Sequence, residues 1–357
     1  MKLPALLAVP LSFVYGSIVT IRHKLFDLKI LRSEEFDIPV VCVGNLTVGG
    51  TGKTPVTEFL IERLSENHRV AVLSRGYRRK TKGFVLSSPD LSVRSIGDEP
   101  KQMKIKYPEI PMAVCEKRAE GIRRLRELHP EIEVVILDDA FQHRYIEPWV
   151  NVLLMDYNNP VYRDKLLPWG TLRDTKNQMD RADFVLVTKC PDDLNPLDMR
   201  IVANSLGLFP YQSLYFSRME QIDPQPLYPD TASARVRKGG KVIVMSGIAN
   251  PGPLIRSLKK DYEVVDELVF GDHHTYRVSD MKRLDKLLAT YPDAVAVTTE
   301  KDAVKLTNRR KIPVTVQQRL YYVPIRVSFV GDSESEFLRQ IELYVRSNQK
   351  YSVLHPE

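Results

Sequence analysis

Short apolar runs alternate with helical patterns through the middle of the chain, from Val40 to about Lys189. The runs are rich in β-branched residues, which is typical of buried strands. The predicted strands are Val40–Val43, Val70–Leu73, Met112–Val114, Val134–Leu137, Val152–Met155 and Phe184–Val187. The predicted helices are Val56–Leu64, Lys117–Leu128 and Arg200–Leu206. Continuous apolar strands joined by helices predict an α/β fold, with a mostly parallel sheet and helices on both faces.

A second α/β pattern follows a polar, proline-rich stretch at Gln221–Gly240, which predicts a linker. Its predicted strands are Lys241–Ser246, Glu263–Val269 and Ala294–Thr298, and its predicted helices are Leu254–Lys260, Met281–Ala289 and Glu334–Val345. The predicted organisation is therefore an N-terminal helix with a basic collar (1–32), a main domain (33–220), a linker (221–240) and a smaller α/β domain (241–357).

The N-terminal stretch Leu3–Ile21 is nearly free of charge and is followed by Arg22 and Lys24. A helix that lies in a membrane interface, with this basic collar, fits the pattern best. A spanning helix needs about 20 apolar residues, a length this stretch barely reaches. A buried core helix or a signal peptide would also account for the stretch, although no convincing cleavage site follows.

Length and charge narrow the range of partners. A chain of 357 residues suggests two domains, or one large domain with an appendage. The formal net charge of +7 favours an anionic partner: a nucleotide, an acidic membrane or a nucleic acid. No recognisable nucleic-acid-binding module accompanies the charge, so we expect no nucleic-acid partner. The three cysteines are scattered, which argues against a disulfide framework.

The most informative motif is the glycine-rich loop between the first predicted strand and the first predicted helix, Val43–Thr54. Strand, glycine-rich loop, Gly-Lys-Thr and helix form the pattern that binds the phosphates of a nucleoside triphosphate. Lys53 is expected to reach the outer phosphates and the Thr54 hydroxyl to bind Mg²⁺. Thr47 stands where the strict pattern has glycine. The predicted phosphate-binding residues are Gly49, Gly50, Thr51, Gly52, Lys53 and Thr54.

Other charged motifs follow predicted strands or turns. Val134–Asp139 is an apolar strand that ends in Asp138 and Asp139, the expected place for carboxylates that bind Mg²⁺ or its water shell in a phosphate-loop protein. Gly97–Pro100 reads as an acidic turn, and Lys117 and Arg118 end another strand, either facing phosphate or lying on the surface.

Taken together, the motifs resemble those of the tetraacyldisaccharide 4′-kinases of lipid A biosynthesis. The resemblance runs from the N-terminal apolar helix to about Asp302. The motifs that carry it are Gly44–Thr54, Leu73–Tyr77, Gly97–Pro100, Asp138–His143, Ser246–Pro251, Phe270–His274 and Thr299–Val304. Two departures are Ala140, where the family often has glycine, and Pro168–Asp174, which differs in detail from the family segment.

The resemblance implies a P-loop kinase that transfers the γ-phosphate of ATP to the 4′-hydroxyl of an acylated glucosamine disaccharide 1-phosphate, giving lipid IVA. It implies ATP and Mg²⁺ as cofactors, and a place on the cytoplasmic face of a Gram-negative inner membrane, anchored by the N-terminal helix. The smaller domain would then close the cleft.

The resemblance also implies roles for individual residues. Asp98 would take the proton of the sugar hydroxyl, and His273 would orient Asp98. Arg118 would contact phosphate, and Glu99 would join Asp138 and Asp139 at the metal.

A second class of function is a membrane-associated nucleotide switch, similar to a GTPase, that controls a partner protein. The segment Val185–Asp192 resembles a guanine-reading motif, but its aspartate comes one residue late. Guanine selectivity would favour the switch, and a phosphorylated glycolipid product would favour the kinase.

Overall fold

The computed structural model describes residues 4–232, 236–306 and 312–346, and its contacts group into two compact units. The first unit contains the chain up to Asp90, then Tyr107–Met219, and then the chain from Val327 onward. The second unit contains Leu91–Lys106 and Glu220–Arg326. Two segments thus group differently from the predicted domains: residues 91–106 belong with the second unit, and the C-terminal helix belongs with the first.

The strands are β1 (Val40–Asn45), β2 (Val70–Ser74), β3 (Val85–Leu86), β4 (Met112–Val114), β5 (Val134–Asp138), β6 (Val150–Asp156), β7 (Phe184–Thr188), β8 (Ser213–Gln221), β9 (Gln225–Pro226), β10 (Lys241–Ser246), β11 (Glu263–Val269), β12 (Val295–Thr299), β13 (Leu320–Val323) and β14 (Ile325–Phe329).

The α-helices are α1 (Ala5–Asp27), α2 (Lys53–Ser65), α3 (Val93–Ile96), α4 (Asp98–Lys106), α5 (Arg118–Leu128), α6 (Pro196–Leu206), α7 (Gly252–Asp261), α8 (Val278–Thr290), α9 (Glu300–Ala303), α10 (Val314–Gln317) and α11 (Ser333–Arg346). Short 3₁₀ helices cover Lys176–Arg181 and Val304–Leu306.

The first unit is built on a sheet with the strand order β14-β8-β7-β6-β1-β5-β2-β4-β3. The strand pairs from β8 to β4 in this order are parallel, and β3 pairs antiparallel with β4. All six residues of β1 are buried, as expected for a strand covered on both faces. The predicted α/β fold with a mostly parallel sheet is confirmed, and β1 and β5, which carry the phosphate-loop and acidic motifs, are adjacent.

The second unit has its own sheet, in the order β11-β10-β12-β13-β9. Alternate residues of β10 enter two different cores: Ile243 and Met245 pack with α8, whereas Val242 and Val244 pack with α7. This sheet is therefore also covered on both faces, which explains its continuous apolar strands.

Helix α1 has 23 residues and is long and apolar enough, by length and composition, to cross a membrane. Much of its apolar surface is exposed, with Leu6 at 86% and Phe13 at 77%. Polar side chains fix its other face: Ser12 Oγ donates to the Leu166 carbonyl at 2.9 Å, and His23 Nε2 lies 2.6 Å from Asp174 Oδ1. The helix is thus attached to the first unit through buried polar contacts and leaves an apolar surface open.

The structure differs from the sequence predictions in a few elements. Gly97–Pro100 is not a turn, because Asp98 begins α4. The predicted linker 221–240 contains the short strand β9, which pairs with β13, while residues 233–235 of that linker lie outside the described residues. The strands β8 and β14 were not predicted, because their sequences mix polar and apolar residues, and the four-residue strand β13 was missed although its sequence is apolar.

Candidate functional site

The phosphate loop joins β1 to α2, and its shape depends on glycine. Gly52 precedes α2 with φ of 83°, and Gly49 has φ of 128°. Both values lie where a side chain is strained. A Cβ on Gly52 would also lie 2.2 Å from the Met219 methyl group. Thr188 Oγ1 fixes the far side of the loop by donating to the Thr51 carbonyl at 2.8 Å. The loop therefore leads directly into the N-terminus of α2, an arrangement that binds anions.

Lys53 lies at the centre of a charged cluster at the carboxyl end of β1. Its Nζ is 3.3 Å from Asn45 Oδ1 and 3.8 Å from Asp139 Oδ1. Arg173 donates to Asp139 Oδ2 at 3.2 Å and to the Asn45 carbonyl at 3.2 Å. Burial acts to raise the pKa of Asp139, but Lys53 and Arg173 outweigh burial and lower that pKa below its usual value. Asp139 is therefore ionised at neutral pH, between two cations.

The two neighbouring carboxylates have different surroundings. Asp138, at the end of β5, is 1% exposed, and it accepts hydrogen bonds from Thr57 Oγ1 at 3.3 Å and Ser74 Oγ at 2.9 Å. Asp139 has a positive φ of 48°, so the chain turns sharply here, and its side chain is 30% exposed. Asp138 is thus held by neighbouring strands and helices, whereas Asp139 is the more open group.

Arg118 begins α5 just after β4 and is 2% exposed. Its Nη1 donates to the Cys115 carbonyl at 3.0 Å, and within the described part of the chain its buried Nε has no acceptor. Burial, together with the charge of Arg75, lowers its pKa to about 10, so it remains a cation at neutral pH. The interpretation of Arg118 as a surface residue is wrong: it is a buried cation at the carboxyl end of the sheet.

Gln142 and His143 follow the acidic pair. Gln142 Nε2 donates to the Asn45 carbonyl at 2.6 Å, which ties this segment to the start of the phosphate loop. Burial, with the charges of Arg118 and Arg22, lowers the pKa of His143 to about 4. His143 is therefore a neutral imidazole at physiological pH.

Asp98 and His273 meet in the second unit, although 175 positions separate them in the sequence. Asp98 is the first residue of α4, and His273 follows β11 with φ of 59°. His273 Nδ1 lies 3.0 Å from Asp98 Oδ2, and Lys305 Nζ lies 3.9 Å from the same oxygen. Glu99 is the next residue in the first turn of α4. The family resemblance implied that Asp98 and His273 lie close together, and the structure places them in contact.

Several residues of these clusters were not predicted as site residues: Asn45, Arg173 and Lys305. Each lies within or beside a motif noted in the sequence, but the motif does not say which side chain turns toward the carboxylates. Among the described residues, no group of three or more His, Cys, Asp or Glu side chains is placed to hold a metal ion.

Comparison with known proteins places this arrangement in a family. The model of the family described as tetraacyldisaccharide-1-P 4′-kinase matches residues 4–344. A tetraacyldisaccharide 4′-kinase of Phocaeicola vulgatus is 45% identical over 350 residues, covering 96% of each chain. Another, from Bacteroides thetaiotaomicron, is 43% identical over 358 residues, covering 96% of this chain and 94% of its own. The crystal structure of LpxK from Aquifex aeolicus in complex with ATP superposes with a TM-score of 0.73 at 27% identity, covering 94% of this chain and 98% of that one.

Proposed function

This chain belongs to the tetraacyldisaccharide-1-P 4′-kinase family, and we propose that it transfers the γ-phosphate of ATP to the 4′-hydroxyl of a tetraacylated glucosamine disaccharide 1-phosphate. The product is lipid IVA, an intermediate of lipid A. The observation that carries this function is the family match over residues 4–344, which includes every motif described above. The nucleotide-switch alternative has no support from these relatives, which are named as kinases.

The charged cluster around Lys53 is suited to phosphoryl transfer. In such a reaction the sugar oxygen bonds to the γ-phosphorus, the bond from that phosphorus to the bridging oxygen breaks, and ADP leaves. Most of the catalysis comes from positioning and from neutralising phosphate charge. Lys53 and Arg173 are both held by Asp139 before any phosphate arrives. Arg118 adds a buried cation whose Nε has no acceptor within the described residues, so a phosphate oxygen is a suitable partner for it.

The oxygen groups near the loop fit Mg²⁺. This ion prefers oxygen ligands and usually binds one or two protein carboxylates together with substrate phosphates. Asp139 is ionised and partly open, Asp138 is held firmly by Ser74 and Thr57, and Thr54 is half-buried in the first turn of α2. We assign Thr54, Asp138 and Asp139 to the ion. Mg²⁺ would supply charge neutralisation at the phosphates.

Asp98 and His273 are proposed as the acid–base pair. The Asp98 carboxylate accepts the proton of the 4′-hydroxyl as the new bond to phosphorus forms. His273, hydrogen-bonded through Nδ1, fixes the orientation of this carboxylate and leaves its other oxygen for the hydroxyl. In this contact the tautomer with hydrogen on Nδ1 donates to Asp98 Oδ2.

We also propose that α1 attaches the enzyme to the cytoplasmic face of the inner membrane. The exposed apolar side chains of α1 support this location, as does the lipid nature of the substrate. A groove of about 760 Å³ beside α1 is lined by Phe13, Ile21, Leu166 and Trp169, among others. Its apolar lining is suited to contact with lipid.

The direct test uses the purified full-length chain with ATP, Mg²⁺ and the disaccharide lipid in detergent. We expect a product that has gained one phosphate, at the 4′ position, with one ADP released for each product. The Lys53→Ala variant serves as the inactive control. GTP consumed in preference to ATP, without phosphorylation of the lipid, would refute the kinase assignment.

A further inference from the structure

Two sequence motifs of the second unit have no role in the steps above, the segment that begins Ser246-Gly247 and the segment Thr299–Val304. The first segment begins at the last residue of β10, and the second begins at the last residue of β12. These two strands are adjacent and parallel. Their side chains and backbone groups meet next to the Asp98–His273 pair.

The contacts between them form a closed ring. The His273 N–H donates to the Gly247 carbonyl at 3.0 Å, and the Gly247 N–H donates to Asp302 Oδ2 at 2.8 Å. Asp302 Oδ1 accepts from Lys305 Nζ at 2.9 Å. Lys305 Nζ then lies 3.9 Å from Asp98 Oδ2, and His273 Nδ1 closes the ring on that same oxygen.

The ring is largely shielded from solvent and its geometry is tightly determined. Asp302 is 0% exposed, and the Lys305 side chain is 7% exposed. Thr299 Oγ1 donates to Asp302 Oδ2 at 2.9 Å, so the carboxylate has a partner on each oxygen. A Cβ on Gly247 would lie 3.0 Å from the His274 Cβ and 3.1 Å from Asp302 Oδ1, so only glycine fits without movement.

A buried ion pair is a weak source of stability, because desolvation offsets much of its attraction. The Lys305–Asp302 pair is better explained by what it fixes. Asp302 holds the ammonium of Lys305 beside Asp98, on the same oxygen that His273 contacts. Two positively polarised groups on one oxygen leave the other oxygen, Oδ1, as the acceptor for a hydroxyl proton.

We propose that Lys305, held by Asp302 and Gly247, is a positioning residue for the Asp98–His273 pair. It fixes the orientation of the Asp98 carboxylate and does not bind substrate itself. This inference rests on the proposed role of Asp98 as the base. It assigns a function to both motifs, since each supplies one side of the ring.

The test compares turnover of the full-length variants Lys305→Met, Lys305→Arg and Asp98→Asn, and of Lys305→Met combined with Asp98→Asn. Lys286→Met, an exposed lysine of α8, is the matched control. We expect Lys305→Met to lower kcat about 10- to 100-fold, the range typical of residues that orient a reacting group. Both KM values should stay nearly unchanged, and Lys305→Arg should recover most of the loss.

The double variant decides whether Lys305 acts through Asp98. Groups that act as a unit do not lose activity independently, so in the Asp98→Asn background Lys305→Met should change kcat by no more than about twofold. Losses that multiply, or a raised KM with normal kcat, would overturn the positioning role. Full turnover by the Asp98→Asn variant alone would instead show that Asp98 is not the base. This result distinguishes a failure of the proposed function from a failure of the positioning role of Lys305.

Lys305→Met leaves Asp302 buried without its cation and could lower stability. Melting temperatures are therefore measured together with the kinetics. A further double variant, Asp302→Asn combined with Lys305→Met, removes both charges of the ion pair. We expect this Asp302→Asn/Lys305→Met variant to lose as much kcat as Lys305→Met alone. A folded Asp302→Asn/Lys305→Met variant with wild-type kcat would refute the inference.

Discussion

Replacing Arg173 by methionine should weaken both the stability of the first unit and the geometry of its phosphate loop. The Arg173 guanidinium connects Asp139 with Asn45, and both of these residues also contact the Lys53 ammonium. Methionine keeps much of the apolar length but has no donors. Lysine keeps the charge but cannot hold the forked geometry that spans two acceptors.

The magnitude follows from partial burial. An exposed ion pair contributes at most about 1 kcal/mol, whereas breaking a fully buried pair costs about 3–5 kcal/mol. The side chains of Arg173 and Asp139 are 22% and 30% exposed, so we expect a loss between these limits, about 2 kcal/mol. For a domain of roughly 150–250 residues this lowers Tm by about 4–8 °C.

The pH dependence of this loss is a second measurement. The pKa of Asp139 is lowered in the folded protein, so its stabilising contribution is complete above the unfolded value of about 3.9 and is lost as pH falls through the folded value. The Tm gap between wild type and Arg173→Met should therefore be constant from about pH 7 to about pH 5 and narrow below about pH 4, where only the hydrogen bonds of Arg173 to Asn45 still contribute. Calorimetry of both proteins, with the exposed Arg200→Met as control, tests this. A gap no larger than that of the control, or one that does not narrow in acid, would refute the reasoning.

Four further outcomes are expected. Lys53→Ala should lower kcat about 10²- to 10³-fold, as loss of one preorganised donor does elsewhere, and normal turnover in a folded variant would contradict the phosphate-loop assignment. Asp98→Ala and His273→Ala should each reduce turnover, and the double variant should be little worse than Asp98→Ala, because the groups act together; independent losses would exclude a pair. The imidazole of His143 should titrate by NMR with a midpoint of about 4, since burial disfavours its charged form, and a midpoint near the ordinary value of about 6.5 would contradict this. Gly52→Ala should lower Tm, because left-handed backbone costs a residue with a side chain roughly 1–2 kcal/mol. Gly50→Ala, where a Cβ meets nothing within 4 Å, is the control, and equal Tm values would show that the loop adapts.

The central sheet was predictable because its strands are apolar without interruption. Val134–Leu137 and Phe184–Val187 differ from the observed strands β5 and β7 by one residue at one end. The edge strands were harder to predict, since β8 includes Arg218 and Glu220 and its continuous apolar run covers only residues 214–216. Residues 91–106 group with the second unit, which the sequence did not predict, because sequence order does not reveal that a segment leaves one sheet to pack with another.

The site was predictable where a local motif fixes geometry and was missed where distant side chains converge. The loop before Lys53 is encoded by its glycines. By contrast, Arg173 meets Asp139 across 34 positions, and Lys305 approaches Asp98 across more than half the chain. No periodicity or spacing relates such pairs, so only the fold shows them.

The discontinuous first unit has a consequence for how the protein is made. Strand β14 neighbours β8 and helix α11 brings Phe337 against Phe184, yet Glu220–Arg326 must be synthesised between them. At typical elongation rates this interval is on the order of ten seconds. During that time the nascent chain displays Phe184 and the edge of β8 without the partners that later cover them. The growing chain is therefore exposed to aggregation at this edge while Glu220–Arg326 is synthesised, and this is when chaperone protection matters most.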